Sequence, residues 1–159
     1  MIRLAKTEDL NEIMSIYSYA RKFMAENGNP TQWGTNYPTE QLIENDINNK
    51  RLYVIDEENQ IHAVFMFDIC EDETYKVIKN GQWISDDEYG VIHRVASDAK
   101  IKGVLNKAVD FCLGKIPHLR IDTYKDNKIM QHQIEKNGFK KCGIINLLNG
   151  DERIAYERI

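Results

Sequence analysis

The chain is predicted to form an α/β (α+β mixed-sheet) fold with helices on the faces of one sheet. Three observations predict it. Apolar residues recur at helical spacing in several segments, short β-branched runs lie between turn signals, and one helix joins two strands as a crossover. The resulting order, β-α-α-β-β-β-α-β-α-β-β, mixes hairpins with a strand–helix–strand unit, which requires a mixed sheet.

Each element has a local cause. Ile2 and Leu4 suit a short first strand, and Thr7 is placed to cap a helix whose first turn carries Glu8 and Asp9 at the positive end of its dipole. Leu10, Ile13, Met14, Tyr17, Ala20 and Met24 continue at helical spacing until Asn27-Gly28-Asn29-Pro30. After a loop holding Trp33 and Tyr37, Pro38-Thr39 starts a second helix through Leu42, Ile43 and Ile47. Residues 52–55 and 61–69 flank a turn at 57–59 and read as a hairpin. Segment 70–87 has mixed charge and no sustained period, so it is expected to be an ordered insertion or loop.

Residues 89–96 then form a strand, 103–113 a helix with Val104, Leu105, Ala108, Val109 and Cys112 on one side, and Leu119–Thr123 a buried strand. Asp126 is placed to cap the next helix, where Met130 and Ile134 share a face and Gly138 supplies the left-handed stop. Strands at 141–147 and 153–157 flank Asn149-Gly150, a strong hairpin signal.

The 159 residues carry no repeat, low-complexity block or linker, so a single domain over 1–159 is expected. Lys and Arg number 21 against 25 Asp and Glu, a net charge of −4, which argues against general affinity for nucleic acid or an acidic membrane. No apolar run approaches the roughly 18 residues of a membrane span. The N-terminus lacks a signal-peptide layout, so a cytoplasmic location is expected. Cys70, Cys112 and Cys142 have neither disulfide-framework nor zinc-ribbon spacing and are expected to be buried thiols. No ligand spacing supports a metal site from His93, His132 and Cys142, so no metal is expected.

Chemistry concentrates at two points. The strand ending at Ala96-Ser97 runs through Lys100-Ile101-Lys102-Gly103-Val104-Leu105 into a helix, whose first turn offers free N–H groups and a positive dipole end suited to a pyrophosphate. Lys100 and Lys102 add charge there. Later, the strand Leu119–Thr123 leads through Lys125-Asp126-Asn127 into a helix ending at Asn137-Gly138-Phe139. Together these segments resemble the GCN5-related N-acetyltransferase (GNAT) family, whose members transfer an acetyl group from acetyl-coenzyme A to an amine. The strings at 92–96, 120–124, 137–145 and 150–156 are similar to an uncharacterised Firmicutes-type bacterial subgroup of that family.

The resemblance implies a GNAT-like acyl-CoA N-acyltransferase fold, with a central, mostly antiparallel sheet, a splayed parallel strand pair and flanking helices. It implies acetyl-CoA as cosubstrate and a small-molecule or peptide amine as acceptor, and it admits a homodimer. Backbone groups of Val95, Ala96 and Ser97 would pair with the pantetheine arm like an added strand. The loop Lys100, Ile101, Lys102, Gly103, Val104 and Leu105 would cradle the pyrophosphate. Asn127 would bond the pantetheine or serve only as a helix cap. In the family this loop reads Gln/Arg-x-x-Gly-x-Gly/Ala; here Lys100 holds the first position, Gly103 is kept, and Leu105 replaces the last small residue.

Acetyl transfer to an amine needs a neutral nucleophile, a polarised thioester carbonyl and a proton donor for the departing thiolate. The family's usual acid, a Tyr seven positions after the Asn, falls here on Ile134. Tyr124, just beyond a strand end, is the candidate substitute; its structural alternative is to cover that end. Glu88, His93 and Asp122 are candidate bases. His93 lies in the strand that should flank the thioester and is of the type suited to proton transfer near neutral pH, its alternative being a hydrogen-bonded structural role.

Trp33, Tyr37, Trp83 and Tyr89 fall where the family places acceptor-side loops and strand starts, giving either an aromatic-walled pocket or ordinary core. Leu105 and Ile134 motivate a rival class, a noncatalytic acyl-CoA-binding or sensor domain. A cofactor-free regulatory interaction domain is a third.

Overall fold

The computed structural model describes all residues, 1–159. Its strands are β1 (Ile2–Leu4), β2 (Leu52–Glu57), β3 (Gln60–Ile69), β4 (Gly90–Ser97), β5 (Leu119–Thr123), β6 (Lys140–Asn146) and β7 (Glu152–Arg158), and its helices are α1 (Leu10–Glu26), α2 (Glu40–Asn48), α3 (Val104–Leu113) and α4 (Lys128–Lys136). This is the expected order, with single 3-10 turns added at Thr7–Asp9 and Glu73–Tyr75. The sheet is ordered β1-β2-β3-β4-β5-β7-β6, and every registered pairing except the parallel β4–β5 is antiparallel. The chain divides into two compact units, Met1–Phe67 with Arg94–Val104, and Asp68–His93 with Leu105–Ile159.

In the first unit, α1 buries Ile13, Ile16, Tyr17 and Ala20, whose spacing puts them on one helical face. Ile43 of α2 and Leu52, Val54, Ile55, Ala63, Val64 and Phe65 of the β2–β3 hairpin are buried with them. Glu58 and Asn59 both have positive φ at the hairpin turn, the conformation whose twist matches the flanking strands. The α1 entry differs from expectation. Thr7 begins a 3-10 turn instead of capping α1; Asp9 precedes the helix without a side-chain cap bond to it, reaches back to the Lys6 amide at 2.8 Å and binds the Arg3 guanidinium, which pulls its carboxyl below the ordinary range. α2 starts where Pro38-Thr39 is expected to start it, with Thr39 as its cap accepting the Leu42 amide at 3.2 Å.

In the second unit, β5 pairs with β7 from Leu119↔Arg158 to Thr123↔Ile154, and β7 pairs in turn with β6. The amphipathic helices bury Leu105, Ala108, Val109 and Cys112 from α3 and Ile134 from α4. Asn127, rather than Asp126, caps α4 by accepting the Met130 amide at 3.0 Å. Gly138 at φ 87° ends that helix. The segment 70–87 is ordered by distant partners. Lys79 bridges to Ile144 of β6, and two glycines permit the approach: a Cβ on Gly143 would meet the Lys79 carbonyl oxygen at 2.5 Å, and one on Gly81 would strike the Cys142 carbonyl. The three cysteines form no disulfide; Cys112 and Cys142 are buried, and burial pushes the Cys112 thiol up to about 12. No helix is long and apolar enough to cross a membrane.

Candidate active site

Two parallel strands can pair only where their backbones stay about 4.8 Å apart. The β4–β5 register consists of Gly90↔Leu119 and Val91↔Arg120, after which β5 continues to Thr123 on β7 alone. Ile92 and His93 of β4 thus have no β5 partner, and the predicted splay begins at Val91.

His93 stands just past that point, with a side-chain exposure of 21%. Its Nε2 lies 2.7 Å from Asp72 Oδ2, and its Nδ1 3.7 Å from Asp122 Oδ2. Asp72 is fixed from several sides. Its backbone amide donates to the Tyr89 hydroxyl at 2.9 Å, and its Oδ1 accepts the Thr74 amide and hydroxyl at 2.9 and 2.7 Å. Burial alone would raise the Asp72 carboxyl, but the hydrogen bond and charge of His93 and the Thr74 donors outweigh it and bring it down to about 2. The Tyr75 hydroxyl donates to Asp122 Oδ2 at 2.6 Å; burial and the Asp122 charge push that phenol well up, so it stays a donor.

The same unit holds a buried ionic network. Glu157 Oε2 accepts Arg120 Nε at 2.8 Å and faces His118 Nε2, while its other oxygen accepts the Ile84 amide. Burial opposes ionisation of Glu157, yet these partners hold its carboxyl below the ordinary range. The Arg120 guanidinium lies between the rings of Trp83 and Tyr89, 3.9 and 4.0 Å from their centres. Trp83 also donates Nε1 to the Tyr75 carbonyl at 2.8 Å. These two aromatics are brought together, and part of each ring surface covers Arg120.

At the end of β5, Tyr124 is half-buried with the Arg153 guanidinium 4.9 Å from its ring centre. Its carbonyl accepts the amide of Asn127 at 3.0 Å, so the candidate acid and the candidate cofactor asparagine share one turn. Glu88 is exposed, and its backbone carbonyl, rather than its carboxylate, faces His118.

The first unit holds the phosphate-loop candidates. Ser97 Oγ accepts the Ala99 amide and Asp98 Oδ1 the Lys100 amide, folding the chain into successive tight turns with Ala99 and Gly103 at φ 64° and 68°. Asp98 Oδ2 is 2.8 Å from His62 Nδ1. A Cβ built on Gly103 meets nothing within 4 Å, so the backbone there is open to an approaching group. Lys100 and Lys102 are exposed beside it, Ile101, Val95, Ser97 and Val104 are half-buried, and Ala96 is buried. An open glycine, exposed cations and a helix start fit a pyrophosphate. Leu105, the next residue, has its side chain in the core of the second unit.

Trp33 and Tyr37 also meet in the first unit, at 6.1 Å between ring centres, with Trp33 edge-on to Tyr17 at 5.7 Å. Arg94 has φ 53° inside β4, a costly conformation for a side-chain-bearing residue. It is held there by the Tyr17 hydroxyl, which donates to the Arg94 carbonyl at 2.8 Å, and by two bonds from its guanidinium to buried Asp46. Asp72 and Tyr75 carry no site motif in the sequence; the Asp-x-Thr spacing of a side-chain cap at 72–74 is the one local signal there. No group of three or more His, Cys, Asp or Glu side chains could hold a metal ion.

No family model matches the chain, and no curated protein matches it. Solved structures do. The chain is similar to a GNAT-family acetyltransferase from Streptococcus agalactiae, at 28% identity and TM-score 0.89, with 100% of this chain and 94% of that chain covered. It is similar to a provisionally assigned acetyltransferase from Staphylococcus aureus Mu50, at 25% identity and TM-score 0.73, covering 99% and 97%. A GNAT-family acetyltransferase from Listeria monocytogenes shares the fold at 18% identity and TM-score 0.69, covering 99% and 93%. The mixed sheet with its flanking helices is the GNAT acetyltransferase fold.

Proposed function

We propose that this chain, as one GNAT domain over 1–159, is an N-acetyltransferase that moves an acetyl group from acetyl-CoA to a primary amine of a small-molecule or peptide acceptor, by direct attack in a ternary complex. The observation that carries the reading is the end of β4–β5 pairing at Val91, with the His93 cluster immediately beyond it. The full-length likeness to acetyltransferases supports acetyl transfer in general. Its place in the Firmicutes-type subgroup is part of this proposal and rests on the strings at 92–96, 120–124, 137–145 and 150–156.

Acetyl-CoA supplies an activated thioester when bound. Backbone groups of Val95, Ala96 and Ser97 would hold its pantetheine arm, and the Lys100–Leu105 loop its pyrophosphate, with Lys100 and Lys102 as counter-charges. Asn127 already caps α4 through Oδ1, so its proposed pantetheine contact would be shared with that role. His93 would accept the amine proton as the nitrogen–carbon bond forms, and Tyr124 would donate a proton to the sulfur as the carbon–sulfur bond breaks. Glu88 remains the alternative base through water. Trp33, Tyr37, Trp83 and Tyr89 would flank the acceptor.

The second reading, a noncatalytic acyl-CoA-binding or sensor domain, is favoured by Ile134, which is wholly buried at the position where the family's acid is expected. Coenzyme A release with a panel of amines separates the two. Release dependent on one amine class supports the enzyme, whereas tight acetyl-CoA binding with no amine-dependent release supports the binding domain.

A further inference from the structure

Segment 70–87 is the part of the chain with the least sequence signal, yet it delivers Asp72, Thr74 and Tyr75 to the one histidine at the splay. The groups that face the His93 ring are the Asp72 carboxylate on Nε2, the Asp122 carboxylate near Nδ1, and the Tyr75 ring with its centre 5.9 Å away. The Tyr89 hydroxyl holds the Asp72 amide one step behind. A carboxylate can only accept a hydrogen bond, so a ring nitrogen 2.7 Å from it must carry the proton. We propose that Asp72 is a positioning residue for proton transfer, taking the Nε2–H of His93 and so fixing Nδ1 as the nitrogen that receives the acceptor amine's proton.

The assignment follows from how the two carboxylates differ. Asp72 is fully engaged, with Oδ2 on His93 and Oδ1 on Thr74. Asp122 Oδ2 is 3.7 Å from Nδ1, beyond hydrogen-bond reach, and is already occupied by the Tyr75 hydroxyl. In the neutral ring Nδ1 therefore keeps its lone pair. When it takes the proton released by the amine nitrogen, the new imidazolium lies between Asp72 and Asp122, and Asp122 becomes its charge partner. The acetyl group passes to the amine, the thiolate leaves with a proton from a separate donor, and His93 returns its proton to solvent, so the step balances without a further reactant. The low carboxyl value of Asp72 is consistent with an ionised partner at neutral pH.

This inference rests on the acetyltransferase reading with His93 as base, and its test separates the two. In the full chain, 15N NMR of the imidazoles, taken up a pH series until the ring signal is that of the neutral form, should show His93 as the Nε2–H tautomer. In Asp72→Asn, the Asn carbonyl can keep the Thr74 bonds while its amide donates to Nε2, so the ring should switch to the Nδ1–H form. Amine-dependent turnover should fall by about tenfold or more with little change in the Michaelis constant for acetyl-CoA. Asp72→Glu should restore the Nε2–H form. A wild-type ring protonated on Nδ1, or an Asp72→Asn ring that keeps its tautomer, overturns the inference whatever the activity. If instead the tautomer switches while His93→Gln and Asp72→Asn both turn over like wild type, Asp72 orients a ring that is no base; that result overturns His93 as base and this inference with it. Should Asp72→Asn fail to fold, the wild-type tautomer and Asp72→Glu still decide.

Discussion

Glu157 and Arg120 form an ion pair at 2.8 Å with both side chains out of solvent, on neighbouring strands β7 and β5. Breaking one partner leaves the other charge buried, which typically costs about 3–5 kcal/mol. Glu157→Gln should therefore lower the melting temperature by several degrees or prevent folding, since Arg120, His118 and the Ile84 amide all lose a charged acceptor. Thermal denaturation checks this; an unchanged midpoint would show that the network carries no net stability.

The aromatic candidates should separate into two behaviours. Trp83 covers Arg120 and bonds the Tyr75 carbonyl, so Trp83→Ala should lower the melting temperature. Trp33→Ala should raise the Michaelis constant for the amine and leave that for acetyl-CoA nearly unchanged. If Trp33→Ala disturbs both substrates alike and also destabilises the fold, its acceptor role is lost.

Gly103 combines φ 68° with open space around its Cβ position. Gly103→Glu adds both backbone strain and a negative charge where the pyrophosphate is proposed to approach, so calorimetry should show acetyl-CoA affinity falling about tenfold or more. Unchanged affinity would remove this loop from the cofactor site.

Tyr124→Phe should reduce turnover by about a hundredfold while the dissociation constant for acetyl-CoA stays within error, the signature of an interaction made only in the transition state. Equal turnover would return Tyr124 to the structural role of packing under Arg153 at the strand end.

The Asp72–His93 pair predicts a specific acid sensitivity. The Asp72 carboxyl sits near 2 in the folded protein against an ordinary 3.8, so the folded state holds its proton more weakly than the unfolded chain does. Its contribution, about 2 kcal/mol, is complete above the unfolded value and is lost as pH falls through the folded one. Urea unfolding of wild type and Asp72→Asn should converge as pH drops from about 5 to about 2. A stability gap that stays constant over that range would contradict the linkage.

The order of strands and helices was legible in the chain because it is written in local periods: Ile13, Tyr17 and Ala20 recur at helical spacing, and Asn149-Gly150 sits between two strand-like runs. The end of α4 at Gly138 was legible for the same reason, since a positive φ is a property of one residue, whereas Gly103 was marked only by the resemblance of its loop and its open Cβ position belongs to the tertiary structure. The caps lie one or two residues from where local signals put them: Asn127, the neighbour of Asp126, accepts the Met130 amide because adjacent polar side chains compete for it, and before α1 Asp9 reaches back to the Lys6 amide without capping the helix. Segment 70–87 has no period of its own because its contacts lie elsewhere in the sequence, with Asp72 on His93, Tyr75 on Asp122 and Ile84 on Glu157. The sequence could nominate His93 as an ionisable residue in a strand, but which nitrogen carries its proton depends on a carboxylate 21 residues away, and only the folding of that segment against β4 and β5 brings the two within 2.7 Å.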